Sequence, residues 1–223
     1  MGIPLPRWVW VGAFSLSTIA GMVNVVGYLG FEHQAITHLT GTTTLLGGAI
    51  ARGNMHVAMQ LGGVIVAFVL GAALSGLIVQ DSTLQLGRRY GIALSGVSLL
   101  LLASIPMLER QWIVGAWTAA MACGLQNAMA TTYSGAVVRT THLSGMFTDI
   151  GIAIGHALRG IPLQTRRLQL SILIIAGFLC GTVSGSFLFQ AWAYRALLAP
   201  AALTGAAGLT YTLYRHWQIS NDR

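Results

Sequence analysis

Six intervals of the chain lack Asp, Glu, Lys and Arg altogether: residues 8–31, 53–80, 90–108, 111–138, 168–194 and 196–214. Each holds about the 20 apolar residues that a helix needs to cross a ~30 Å hydrocarbon layer. Apolar positions run on without the every-second-residue alternation of a barrel strand, as in Leu99-Leu100-Leu101-Leu102. Lipid offers no partner for backbone N–H and C=O groups, so runs of this kind satisfy them internally as α-helices. The expected span cores are 8–29, 57–79, 90–108, 112–131, 168–189 and 193–214. The first is too long for a signal-peptide core and no small-residue cleavage site follows it, so it is expected to remain as a span. Aromatic residues gather near the ends, among them Trp8, Trp10, Tyr28, Tyr90, Trp112, Trp192, Tyr194 and Tyr214. An amphipathic ring suits the headgroup layer. Small residues four apart, Gly71 with Ser75 and Gly181 with Gly185, predict close helix contacts.

Two further segments, 33–51 and 138–157, break the pattern. The first is uncharged but rich in Thr and Gly until Arg52, and the second sets Arg139, His142 and Asp149 among apolar residues. They are too polar to face lipid and too apolar for solvated loops. Irregular backbone persists at membrane depth only where protein shelters it, which predicts re-entrant or broken helices here.

The two segments repeat one another. Residues 38–50 align with 142–154 at a constant offset of 104, and seven of the thirteen pairs are identical. Upstream, Gly21-Met22-Val23-Asn24 matches Gly124-Leu125-Gln126-Asn127 at an offset of 103. Downstream, Phe68, Gly71 and Gln80 match Phe178, Gly181 and Gln190 at 110. Three matches in one order predict a duplicated half-molecule, with repeats at 1–108 and 109–223 of a single membrane domain. If the polar segments re-enter, each half crosses three times and the halves are inverted. If they cross, there are eight spans and the halves are parallel. With the N-terminus in the cytoplasm, the re-entrant topology places nine Arg inside and three outside, against eight and four for eight spans. The excess of inside Arg favours inverted halves.

Composition agrees with this class. Hydrophobic residues make up 55% of the 223 and charged residues 8%, whereas a soluble domain carries about a quarter charged. A soluble enzyme is therefore excluded. The twelve basic residues are all Arg and form no patch, which leaves no nucleic-acid arm. Cys123 and Cys180 lie in apolar runs and match no metal or disulfide spacing. No cofactor and no metal is expected.

Gly21-Met22-Val23-Asn24 followed by Thr40-Gly41-Thr42 resembles the first signature of the bacterial YoaK family. Gly124-Leu125-Gln126-Asn127 followed by His142-Leu143-Ser144-Gly145 through Thr148-Asp149 resembles its second. The similarity extends over essentially the whole chain. Asn24 stands where that family usually has Asp, Thr42 where it has Asn, and Ser144 where it has Thr. The resemblance implies a multi-pass protein of the bacterial inner membrane, its lipid bilayer the first partner, and carries no established activity.

The fold class expected is thus an all-α integral membrane protein, with six full spans and two short polar segments. Asp149 is the acid that an apolar environment charges for most, at least ~2.5–3.5 kcal/mol on insertion scales. His142, seven residues earlier, shares its helical face, with Arg139 close to the same stripe. Asp149 and His142 are the expected proton-coupling pair, and an Asp149–Arg or Asp149–His pair that locks the halves together is the alternative. His38 is the counterpart of His142. Thr40, Gly41, Thr42, Ser144, Gly145 and Thr148 suit caps and sharp turns at broken helix ends, or interhelical packing. Asn24 and Asn127 add buried amides that line a site or clamp helices. The leading expectation is a small secondary transporter or channel-like permease with the solute between the repeats. Positive helix ends and surplus Arg favour a small anion or zwitterion. The alternatives are a non-transporting scaffold and, against the geometry of residues two apart, a hydrolase using Ser144 and His142. Homo-oligomerisation is compatible with either membrane role.

Overall fold

The computed structural model describes residues 7–30, 38–79, 89–134 and 139–221. The start of the first polar segment, residues 33–37, and Gln80 lie outside these described residues. Among the described residues eight α-helices follow one another: α1 (Arg7–Gly30), α2 (Leu39–Ala51), α3 (Met55–Ile78), α4 (Arg89–Glu109), α5 (Ile113–Tyr133), α6 (Leu143–Leu158), α7 (Thr165–Trp192) and α8 (Leu198–Asn221). Among the described residues there is no strand. The protein is an all-α membrane protein. Four apolar stretches are long enough to cross a bilayer, at 8–30, 55–78, 89–109 and 165–214, the last containing both α7 and α8. α5 carries the two amides Gln126 and Asn127, and more than half of its 21 residues are buried inside the bundle.

Most span boundaries fall within a few residues of expectation. The clearest difference is at 193, where a short 3-10 segment, Ala193–Leu197, precedes α8. Ala193 turns the chain out of α7 with φ 49° and ψ −131°, so a helix cannot continue through it. Pro200 then occupies the first turn of α8, where a missing N–H is no loss.

Helix directions follow from which residues meet. α1 and α7 run parallel: Phe14 and Ser17 lie against Gly177, Thr18 against Gly181, and Met22 and Val25 against Gly185. α3 and α5 also run parallel, since Gly63 meets Trp117 and Gly71 meets Met121 and Leu125. α4 and α8 are antiparallel, with Gly91 beside Thr212, Ser95 beside Gly208, and Ser98 Oγ donating to the Ala201 carbonyl at 2.7 Å. The short turns after α4 and α7 reverse the chain. Hence α1, α4 and α7 point one way, and α3, α5 and α8 the other.

The first span of each half therefore packs along the third helix of the other half. The junctions are equivalent at the level of single atoms. A Cβ at Gly21 would land on the carbonyl oxygen of Phe178, and one at Gly124 on that of Phe68. Likewise a Cβ at Gly181 would strike the Thr18 carbonyl and one at Gly71 the Met121 carbonyl. These are the glycines and phenylalanines that match between the halves at offsets of 103 and 110. Such approach of backbone to backbone gives van der Waals contact where lipid supplies no hydrophobic drive.

Candidate functional site

Because α1 and α3 are antiparallel, the chain between them starts and ends at the same face. α2 adds no crossing. Joined to α3 by the turn Arg52–Gly53–Asn54, it runs back along that helix, and Ala49 packs with Ala58 and Leu61. Its 13 residues span about 20 Å, so its N-terminus lies opposite the middle of α3. α6 makes the equivalent excursion from the other face: Met146 packs with Leu170 and Ile174 of α7 and with Val9 and Ala13 of α1. Its 16 residues also fall short of a ~30 Å layer. The polar segments re-enter, and the halves are inverted.

The histidines open these two helices. His38 is the N-cap of α2, at φ −100° and ψ 70°, and His142 the N-cap of α6, at φ −94° and ψ 57°. Neither ring caps a backbone N–H. Instead each folds back over the first turn, where a glycine three residues on leaves space. A Cβ at Gly145 would overlap the His142 ring, and one at Gly41 would touch His38 at 3.4 Å. The repeated His-x-x-Gly is thus a packing unit at a helix start. His38, His142, Thr40, Ser144 and Thr148 are exposed, Gly41 and Gly145 half-buried, and Thr42 is buried at the position equivalent to Met146. Hydroxyls are returned to their own helix: Thr44 Oγ1 donates to the Thr40 carbonyl and Thr148 Oγ1 to the Ser144 carbonyl, both at 2.9 Å. The positive ends of both helices therefore carry exposed histidine and hydroxyl residues and are not enclosed by the bundle, contrary to the sheltered position expected for polar segments.

Asp149 is not alone. Arg167 of α7 grips it with two hydrogen bonds, Nη2 to Oδ1 at 2.7 Å and Nε to Oδ2 at 3.0 Å. The Asp149 side chain is 21% exposed and that of Arg167 65%. The pair ties α6 to the first turn of α7, so this carboxylate faces a cation near a helix end. Arg167, eighteen residues away, is the partner rather than the sequence-near Arg139 or His142. That pairing is an Asp–Arg pair within the second half and not one that locks the two halves together, and it is formed with an arginine that helical spacing alone does not identify.

The amides also act as ties. Asn127 Oδ1 accepts from Thr140 Oγ1 at 3.4 Å, holding the segment that enters α6 against α5. Thr140 is 1% exposed. Gln126 Nε2 donates to the Leu16 carbonyl at 2.8 Å and joins the two halves through α5 and α1. Asn24 sits half-buried at the equivalent place on α1.

The two motif helices do not meet each other. α2 packs on α3 and α6 on α7, at separate flanks of the bundle. Between the halves lies a different space, a cavity of about 30 Å³ lined by Trp8, Gly12, Leu16, Tyr90, Tyr133 and Ser134 of α1, α4 and α5 and their ends. It has room for one or two waters. Tyr90 stands edge-on to both Tyr133 and Tyr211 beside it, with ring centroids at 4.9 and 5.4 Å. Among the described residues no three His, Cys, Asp or Glu side chains converge as metal ligands.

No curated protein and no solved structure matches the chain. A family model does, over residues 12–210, which takes in both His-x-x-Gly segments and all the glycine junctions. The chain belongs to the family described as "protein of unknown function (DUF1275)".

Proposed function

We propose that this protein is a small-solute permease of the bacterial inner membrane, with its N-terminus in the cytoplasm, and that its family is the YoaK one. The observation that carries the reading is the pair of inverted helices, each too short to cross a bilayer and each opening with a histidine N-cap. Secondary transporters use broken helices of this kind, and their positive ends hold anionic groups. In support, Arg89, Arg159, Arg166 and Arg167 all lie at the end of the bundle that holds the N-terminus, as a cytoplasmic face requires. The solute is a small anion or zwitterion drawn to the positive ends of α2 and α6; because these stand on separate flanks, they do not enclose one site between the halves as the sequence led one to expect. Proton coupling through Asp149 and His142 is the finer part of the proposal, and it requires Asp149 to part from Arg167.

Flux into proteoliposomes tests it, with panels of small inorganic anions, carboxylates and amino acids. A solute of one of these classes should enter faster than into protein-free vesicles, and no acceleration for any would sink the permease. Undiminished pH-gradient-driven flux in Asp149→Asn would remove the carboxylate from the coupling role while leaving transport in place. A second reading, a non-transporting membrane scaffold, draws on the closeness of the four glycine junctions and the small size of the cavity.

A further inference from the structure

The long helices that follow the two half-helices begin with different chemistry. α7 opens on Thr165, Arg166 and Arg167, with Gln169 a turn further on. At the equivalent places, offset by 110, α3 opens on Met55, His56 and Val57, with Met59 a turn further on. Two thioethers and an imidazole thus crowd into residues 55–59, at the end of the bundle opposite the N-terminus. All three side chains are open: Met55 is 56% exposed, Met59 67%, and His56 is exposed beside them. At about 100° per residue they share an arc of about 100°, with Met59 between the other two. Met55 and Met59 are four residues apart and His56 and Met59 three, the separations at which side chains on one helix meet. Methionine has a flexible, unbranched stem, so both sulfurs can turn towards one point beside the imidazole.

The imidazole presents an electron pair on its outer nitrogen. Gln60 Nε2 lies 3.1 Å from His56 Nε2. An amide nitrogen only donates, so the ring nitrogen accepts and Nδ1 keeps the proton. A cation that takes this lone pair displaces a single exposed hydrogen bond. Nearby positive charge is turned aside. The Arg52 guanidinium lies back over Gly48 of α2, 3.4 Å from where a Cβ there would stand. Asn54 Oδ1 accepts from the Val57 N–H at 3.2 Å, which caps the positive start of α3.

Thioether sulfur and neutral imidazole are uncharged donors, the sulfurs soft; such a set suits Cu(I) and leaves hard cations to water and carboxylate. We propose that Met55, His56 and Met59 form a binding site for a soft monovalent cation of the Cu(I) class, with the two Sδ atoms and His56 Nε2 as ligands. The second half has Thr165, Arg166 and Gln169 at the same places, no soft donor among them, so each chain carries one such site. It is separate from the ends of α2 and α6 and does not depend on the permease reading.

The test uses the full chain in detergent, with Cys123→Ser and Cys180→Ser removing the thiols as rival ligands. Cu(I) is titrated against a colorimetric Cu(I) chelator under reducing conditions. The protein should retain Cu(I), and Met59→Leu, Met55→Leu and His56→Ala should each weaken that binding about tenfold or more, since even a group that only supports a metal ligand is worth that much. Met129→Leu, at a fully buried site in the core, should leave it unchanged. The leucine variants keep the volume of exposed side chains, so the fold stands. A second measurement locates the ion without any substitution. Ag(I), a redox-inert probe of the same softness, should slow peroxide oxidation of Met55 and Met59 to the sulfoxide, read by peptide mass spectrometry. Absence of bound Cu(I), binding that all three variants leave intact, or equal oxidation of Met55 and Met59 with and without Ag(I) would each overturn the site. Displacement of the Cu(I) by equimolar Zn(II) would overturn its soft character.

Discussion

The hairpin of α2 and α3 and the hairpin of α6 and α7 share a backbone plan but not a chemistry. In the second, Asp149 and Arg167 close a bidentate ion pair between the half-helix and its neighbour. At the same places in the first stand Leu45 and Val57, offset by 104 and 110. What is common to both is the frame: a histidine N-cap, a glycine three residues on, and a glycine-to-carbonyl junction with the opposite half. The difference shows that the ion pair belongs to one half only. Whatever the two half-helices do in common depends on their positive ends and on His38 and His142, not on an acid.

The shared frame gives the largest expected effect. Gly71→Ala and Gly181→Ala each drive a methyl into a carbonyl oxygen of the partner helix. Each should lower detergent stability by about 3 kcal/mol, the upper range for overpacking. Gly47→Ala and Gly151→Ala, whose positions open into free space, should cost nothing. Thermal unfolding of the purified protein measures all four, and a large difference between Gly71→Ala and Gly181→Ala would break the equivalence of the halves.

A smaller effect should fall on one hairpin alone. Asp149→Asn weakens a partly exposed ion pair worth about 1 kcal/mol. Hydrogen exchange should then quicken about fivefold in residues 143–158 and stay unchanged in 39–51. The charge-swapped double variant, Asp149→Arg with Arg167→Asp, should restore protection. Equal quickening in both half-helices would mean that the pair holds the whole bundle and not α6 only.

Much of this frame was legible along the chain. Gaps between charges located the long helices because a lipid-facing run excludes charge whatever its neighbours are. Matched residues located the half-helices because both halves solve the same packing problem. Pairing was less accessible. Gly21 and Gly124 were visible as matches, but nothing local says that each meets the other half's third helix. Asp149 pointed by helical spacing to His142 and Arg139, whereas its partner arrives across the connection into α7. Tyr194 resembled a headgroup anchor by position, yet it is buried, because the turn after α7 folds it inward on a backbone that only the left-handed Ala193 permits. Proximity across a bundle depends on tertiary contacts, and helical periodicity does not encode them.

Two half-helices that re-enter from opposite faces underlie both the fold and the proposed transport. Single cysteines at Asn54, in the turn between α2 and α3, and at Gly160, in the turn between α6 and α7, test this in a Cys123→Ser, Cys180→Ser background. A membrane-impermeant maleimide is applied to sealed vesicles of known orientation. Inverted halves predict that Asn54→Cys and Gly160→Cys label from opposite sides of the membrane. Labelling of both from the same side would mean eight full spans in parallel halves, and would contradict the fold and the function drawn from it.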